Sequence, residues 1–290
     1  VKAGVYVIAR LYSLFAFTGM VYVFLGFGAA TLVLGALWAL TQTDTKRLLA
    51  YSTISHVGYV FTGFGFGTML GVIAALYHLL NHALFKALLF LGAGAVEKST
   101  GTRNLDQLGG LKARMPLTST FFTLAALSLV GVPPLNGFSS KWMIYEGGLE
   151  AGVWWASLGS IAAMLTTSIA VVYCLKAVHS AFFGLLPERL VNARERGPSM
   201  LMPMGLLAAG CVLTGFYPQG VVSWFIAPAT YVITQQAVKP ELLGYWINTF
   251  IGGWAPILTW VIALTGLAIG FTFYLISKPL PIGESGKLFL

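Results

Sequence analysis

At 290 residues, with 57% hydrophobic and only 9% charged side chains, the chain lies far outside the composition of a soluble globular domain and reads as an integral membrane protein. Its formal net charge of +8 does not mark a nucleic-acid partner, because the basic residues fall in short loops between apolar stretches and not on one polar face. Those stretches run to about 20 residues, enough to cross roughly 30 Å of hydrocarbon as helices, and the ten-residue alternation of a β-barrel is missing.

In chain order, "VKAGVYVIARLYSLF" opens inside a helix already under way, with neither an initiator Met nor a signal-peptide layout, so the chain is expected to begin partway through a fold. Spans are predicted over 1–17, 20–41, 47–66, 69–97, 116–146, 152–183, 199–217 and 254–277. Threading them alternates the loops between two sides. One side receives Lys46, Arg47, Lys98, Arg103, Lys112, Arg114, Arg189, Arg194, Arg196, Lys278 and Lys287, and the other Lys239 alone with Glu146, Glu150 and Glu241. The basic side is therefore expected to be cytoplasmic, with the first span running outward. Residues 217–253, mixed in polarity and rich in aromatics, are expected along the outer interface. Cys174 and Cys211 stand alone in apolar stretches and read as packing residues. Gly67/Gly71 and Gly266/Gly270 have the spacing of close helix packing. The Gly65/Gly67/Gly71 cluster lacks the strand and the Lys-Ser of a phosphate loop.

Ionisable groups at mid-membrane cost about 2.5–3.5 kcal/mol each on insertion scales, so those present are functional candidates. Lys2, His56, His78, His82, Lys86 and Lys141 fall well inside spans, whereas Glu97, Lys176 and His179 lie near span ends, within snorkelling reach of the surface. In "YHLLNHALFKALLFL", His78, His82 and Lys86 recur every four residues and share one helix face. Successive stems are about 6 Å apart along the axis, too far for direct hydrogen bonds but within reach through one or two waters, so the row could pass protons. Two packed core histidines and a snorkelling lysine are the plain alternative. Zinc is disfavoured, because "HLLNH" lacks the Glu of the helical zinc motif and no third ligand is evident.

Lys141 follows a break in "SLVGVPPLNGFSSKWMIYEGG", where two prolines and two glycines interrupt a span. Non-helical backbone at that depth must be buried in protein or lined by water, as at the ion sites of discontinuous helices. Lysine suits such a site because its ammonium form is costly to bury and a neighbouring charge can tip the balance. No Asp or Glu lies deep in any predicted span, so lysine and histidine would have to carry the transfer.

The run "TQTDTKRLLAYSTISHVGYVFTGFG", followed by "HLLNHALFKALLFLGAGAV", "TRNLDQLGGL" and the broken "GVPPLNGFSSK", resembles the antiporter-like, proton-conducting membrane subunits shared by respiratory complex I, Mrp-type cation/proton antiporters and membrane-bound energy-converting hydrogenases. The resemblance is ordered over roughly residues 1–200. It implies an all-α membrane bundle of two inverted five-helix repeats, each with one broken helix. On this chain, residues 1–19 correspond to the last helix of the first repeat, 20–183 to the second repeat with its break near 131–137, and 184–290 to C-terminal helices and the interfacial segment. Residue by residue, Lys2 matches the family's bridging lysine. His78, His82 and Lys86 match its central histidine-bearing helix, and Lys141 matches the lysine near the exit. His56 stands where members often carry a polar residue. Ser52, Ser55 and Asn136 are expected as partners for water, with simple packing the alternative. The first repeat, with its glutamate and lysine pair, has no counterpart here, so either it belongs to a longer subunit or the path is incomplete.

The resemblance implies a subunit of a multisubunit ion pump or antiporter that moves protons along a Lys/His/water path, with exchange for sodium left open, and that is not a catalyst alone. It implies other membrane subunits and a peripheral redox module as partners. No cofactor is expected in this chain, flavin and iron-sulfur groups belonging to the partner module. The expected location is a prokaryotic cell membrane. A non-conducting structural subunit is the alternative, and a stand-alone solute transporter a more distant one because no substrate-sized polar site is legible.

Overall fold

Short capping signals divide the apolar sequence into helices. The computed structural model describes residues 2–15, 19–236 and 238. These form α1 (Lys2–Arg10), α2 (Tyr12–Phe15), α3 (Met20–Thr41), α4 (Thr45–Gly65), α5 (Met69–Thr100), α6 (Pro116–Val130), α7 (Asn136–Leu149), α8 (Trp154–Phe182), α9 (Pro198–Phe216), α10 (Pro218–Val221) and α11 (Ala227–Thr234). Asp44 caps α4 by accepting from the Arg47 amide at 2.9 Å, and Thr68 caps α5 by accepting from the Gly71 amide at 3.1 Å. Gly101 and Gly131 end α5 and α6 in the left-handed conformation. Among the described residues there is no strand, only an isolated bridge between Asp44 and Asn104.

Among the described residues four helices, α3, α5, α8 and α9, are long and apolar enough to cross a membrane. The predicted span 47–66 corresponds to α4, 21 residues long but diluted by Lys46, Arg47, Ser52, Ser55 and His56. The stretch 116–146 is a broken pair, α6 and α7, separated by residues 131–135. The stretch 1–17, expected as one span, is divided at Leu11. There the hydrogen bonding tightens from Leu11 N–H to the Val7 carbonyl into Leu14 N–H to the Leu11 carbonyl, both 3.0 Å. The predicted span 254–277 and the second glycine pair lie outside the described residues.

Helices α3 and α4 meet backbone to backbone. A Cβ at Gly28 would stand 2.5 Å from the Thr62 nitrogen and one at Gly35 2.5 Å from that of Ser55, and Cβ atoms at Gly58 and Gly65 would collide with Leu32 and Leu25. The glycines that permit close packing therefore recur every seven residues on each helix, not at the predicted four. Gly67 instead sits in the α4–α5 turn with φ 68°, so it and Gly71 do not form one helix face.

The loops 42–44, 101–115 and 183–197 gather at one end of the bundle. Lys46 pairs with Glu97 at 2.5 Å, and Arg103 with Asp44 and Glu97 at 3.5 and 3.4 Å. Glu195 accepts from the Leu117 and Thr118 amides at 2.8 and 3.3 Å. Residues 218–234 form α10, a π-helical turn over Val222–Ile226, and α11. Pro228, with no N–H to offer the Trp224 carbonyl, accompanies the widened turn. This segment packs on α5 and α2 and exposes Trp224, Phe225 and Tyr231.

Two apolar clusters bracket a polar layer. The larger joins Leu48, Leu49, Leu88, Leu89, Phe122 and Leu129, among others, towards the basic end. The smaller joins Val5, Tyr12, Val60, Phe64 and Val72 with Ile233 of α11.

Candidate functional site

Between those clusters α4, α5, α7 and α8 each turn polar side chains inward. His56 comes from α4, His78, His82 and Lys86 from α5, and Lys141 from α7. All five are at most 4% exposed. Such groups persist in an apolar bundle only where partners meet them.

His78 and His82 lie one turn apart with ring centroids at 6.5 Å, and neither ring nitrogen of His82 has a hydrogen-bond partner among the described residues. His56 enters between them from the neighbouring helix. Its ring lies nearly parallel to that of His78, with centroids 5.2 Å apart, and to that of His82, 5.4 Å apart, with interplanar angles of 11° and 9°, and its Nδ1 lies 3.0 Å from His78 Nε2. Among the described residues no group of three or more His, Cys, Asp or Glu side chains is placed to hold a metal ion. Phe85 closes the group edge-on to His56 and His82, at 5.3 and 5.6 Å.

The two lysines end in different ways. Lys86 Nζ donates to the Leu49 carbonyl at 3.0 Å and to Ser52 Oγ. Lys141 Nζ donates to the Val130 carbonyl at 3.1 Å and to Thr167 Oγ1 at 3.3 Å, and stands 5.1 Å over the ring of Tyr59. Val130 is the last residue of α6, whose terminal carbonyls have no intrahelical donor and carry the negative end of the helix dipole. The break in the sequence thus supplies a ready receptor for an ammonium.

Asn136, at the start of α7, holds the break together. Its side-chain amide donates to Asn81 Oδ1 at 3.2 Å, its side-chain oxygen accepts from Ser128, and its backbone carbonyl accepts from Asn81 Nδ2 at 3.0 Å. A Cβ at Gly137 would collide with the Ser128 carbonyl, so glycine is needed for the half-helices to approach this closely. The same break connects to the histidines, because Ser140 Oγ lies 3.0 Å from His78 Nδ1.

Of the residues singled out from sequence, His56, His78, His82, Lys86 and Lys141 share this layer, Ser52 meets Lys86, and Asn136 clasps Asn81. Ser55 points elsewhere, donating to the Leu32 carbonyl at 2.8 Å across the α3–α4 contact. Lys2 is exposed at the start of α1, within electrostatic range of His82 and Lys86 but with no hydrogen bond to either. Sequence reasoning passed over Tyr59, Asn81, Ser140, Tyr145 and Thr167. Thr167 Oγ1 lies 2.8 Å from the Tyr59 hydroxyl and 2.5 Å from that of Tyr145, which makes it a hub for Lys141. Counting uncharged polar residues inside the predicted spans, not only charged ones, would have raised them.

A bundle of apolar helices with a discontinuous helix and a buried layer of lysine and histidine has the character of a polytopic α-helical membrane protein. Residues 1–166 match the family described as NADH:quinone oxidoreductase/Mrp antiporter, TM, and the chain belongs to that family. It is 35% identical over 278 residues to the A/B subunit of a probable K(+)/H(+) antiporter of Rhizobium meliloti, covering 94% of this chain and 27% of the relative. It is 32% identical over 298 residues to the A subunit of the Na(+)/H(+) antiporter of Bacillus subtilis, covering 93% of this chain and 36% of the relative. Among solved structures it is similar to a chain of the membrane-bound sulfane sulfur reductase, an archaeal respiratory membrane complex, with 28% identity and a TM-score of 0.72 over 92% of this chain and 43% of that one. The chain thus spans about a third of the length of these curated relatives.

Proposed function

We propose that this chain forms the conducting part of an antiporter-like membrane subunit, in which protons move through the layer of Lys86, His82, His56, His78 and Lys141. The reading rests above all on the burial of three histidines and two lysines in one layer beside a broken helix, with no carboxylate among them. Histidine exchanges protons near neutral pH, and buried lysines hold or release a proton as their surroundings change charge. Within this reading residues 20–183 act as one five-helix repeat, the bundle crosses the membrane eight times, and the basic loops face the cytoplasm of a prokaryotic cell. Lys2 bridges to the neighbouring half-channel. The cation exchanged for the proton is sodium or potassium, in line with the names of the relatives, and the chain works with other membrane subunits. In complexes that carry a redox module, flavin or iron-sulfur groups belong to that module.

The test uses the complete subunit within its complex, reconstituted into vesicles. Lys141→Ala and His82→Ala are each expected to abolish cation-coupled proton movement while assembly is retained. Normal transport with both changes present would overturn conduction and favour a structural membrane subunit.

A further inference from the structure

Helix α9 stops beside the break, and its last turn touches both helices that meet there. Residue 218 is proline and has no N–H, so the Thr214 carbonyl four residues earlier lacks its intrahelical donor. The Tyr77 hydroxyl of α5 takes that place, donating to the carbonyl at 2.5 Å from a fully buried side chain. One residue further on, Gly215 sets bare backbone against the break. A Cβ there would stand 2.2 Å from the Pro134 carbonyl oxygen and 2.5 Å from the Asn136 nitrogen, and the Gly215 carbonyl accepts from Ser139 Oγ of α7 at 3.5 Å.

These contacts act on two elements at once. Tyr77 immediately precedes His78, so a bond to its hydroxyl fixes the height and rotation of α5 at that histidine. Asn136 and Ser139 belong to the first turn of α7, whose next residue, Ser140, lies 3.0 Å from His78 Nδ1. A contact of that length between side chains of two helices is kept only while both are held to within about 0.5 Å. The rest of the buried face of α9, Met204, Ala208 and Cys211, supplies apolar packing, which has no direction and sets no register. The Tyr77 bond and the Gly215 approach do.

We propose that Tyr77, Thr214 and Gly215 are positioning residues: the end of α9 sets the register of α5 against the broken helix, and with it the contact between His78 and Ser140. Its effect on transport rests on the conduction reading, whereas the register itself can be read without transport.

The test uses the complete subunit in its complex, carrying Gly215→Ala, Tyr77→Phe or, as a control, Gly210→Ala. Gly210 lies on the same helix, but a Cβ there meets only Leu84 side-chain atoms at 3.5 and 3.7 Å, an ordinary contact. Nitrogen NMR of ring-labelled histidine, with His78 assigned by its absence in His78→Gln, reads the contact with Ser140, and vesicle transport reads the consequence. The His78 Nδ1 signal is expected to move in Gly215→Ala and Tyr77→Phe and to stay in place in Gly210→Ala. Transport is expected to fall at least ~10-fold in Gly215→Ala, since a displacement of about 1 Å made far from the reacting groups can cost still more. It is expected to fall less in Tyr77→Phe, which keeps the ring and loses one bond, and to hold in Gly210→Ala. Should Gly215→Ala fail to assemble, Tyr77→Phe carries the test. An unmoved His78 signal in Tyr77→Phe would overturn the positioning role, as would an equal movement in Gly210→Ala. A moved signal with full transport would keep the register and overturn conduction through His78.

Discussion

Thr167 carries more of the site than its place in an apolar helix suggests. Its hydroxyl lies within hydrogen-bond reach of Lys141, Tyr59, Tyr145 and the Ala163 carbonyl. Valine would keep the shape and remove that meeting point. Lys141 would retain the Val130 carbonyl and Tyr59 the Ala163 carbonyl, so the change is graded. Thr167→Val is expected to destabilise the subunit by about 1–3 kcal/mol, the range for leaving buried polar groups short of a partner, and to slow transport without abolishing it. Thermal unfolding of the purified protein, read beside vesicle transport, checks both parts. Lys176, placed near a span end from sequence, shows the same chemistry in a structural setting, donating to the Leu40 and Gln42 carbonyls at 3.3 and 3.0 Å. A cation at a helix C-terminus meets the unsatisfied carbonyls and the dipole together.

At the scale of the element, the start of α6 is finished by a residue from far along the chain. The residue preceding α6, Met115, offers no side-chain cap, and the Glu195 carboxylate from the α8–α9 loop accepts from the first amides and from the Thr118 hydroxyl. This is an N-cap supplied in tertiary structure, a carboxylate at the positive end of a helix. Glu195→Ala is expected to cost about 0.5–2 kcal/mol and to raise amide exchange over the first turn of α6, with the polar layer unchanged. Unaltered exchange there would count against the cap. The other end of α6 is also held from elsewhere, since the Val130 carbonyl receives Lys141. The broken helix could be read from Gly131, Pro133, Pro134 and Gly137. Which side chains would meet its freed backbone could not, because Asn81 and Asn136 are 55 residues apart.

For the whole molecule, backbone hydrogen bonds join the first two loops of the basic end independently of the ion pairs beside them. The Arg103 carbonyl accepts from the Thr45 amide and hydroxyl at 3.0 and 2.9 Å, and Leu105 N–H donates to the Thr43 carbonyl at 2.8 Å. The ion pairs of Lys46, Arg103, Glu97 and Asp44 sit at a wet surface, with side chains 28–49% exposed, where such pairs contribute little. Arg103→Ala is expected to change stability by less than about 1 kcal/mol, since the backbone bonds survive it. A larger loss in unfolding measurements would assign the ion network a structural role.

Composition and period by themselves determined that this is a bundle of apolar helices, where its helices turn, that one is broken near 131–137, and that His78, His82 and Lys86 share a face. Those properties are set by neighbours within one or two helical turns, and residue type and spacing suffice to express them. Tertiary structure alone decided that His56 stands between His78 and His82, that Ser55 serves the α3–α4 contact, and that Thr167 meets Lys141. These depend on the rotation and height of one helix against another, set by backbone contacts such as Gly35 on Ser55 and Gly58 on Leu32. No pattern along a single helix encodes which polar face its neighbour will present.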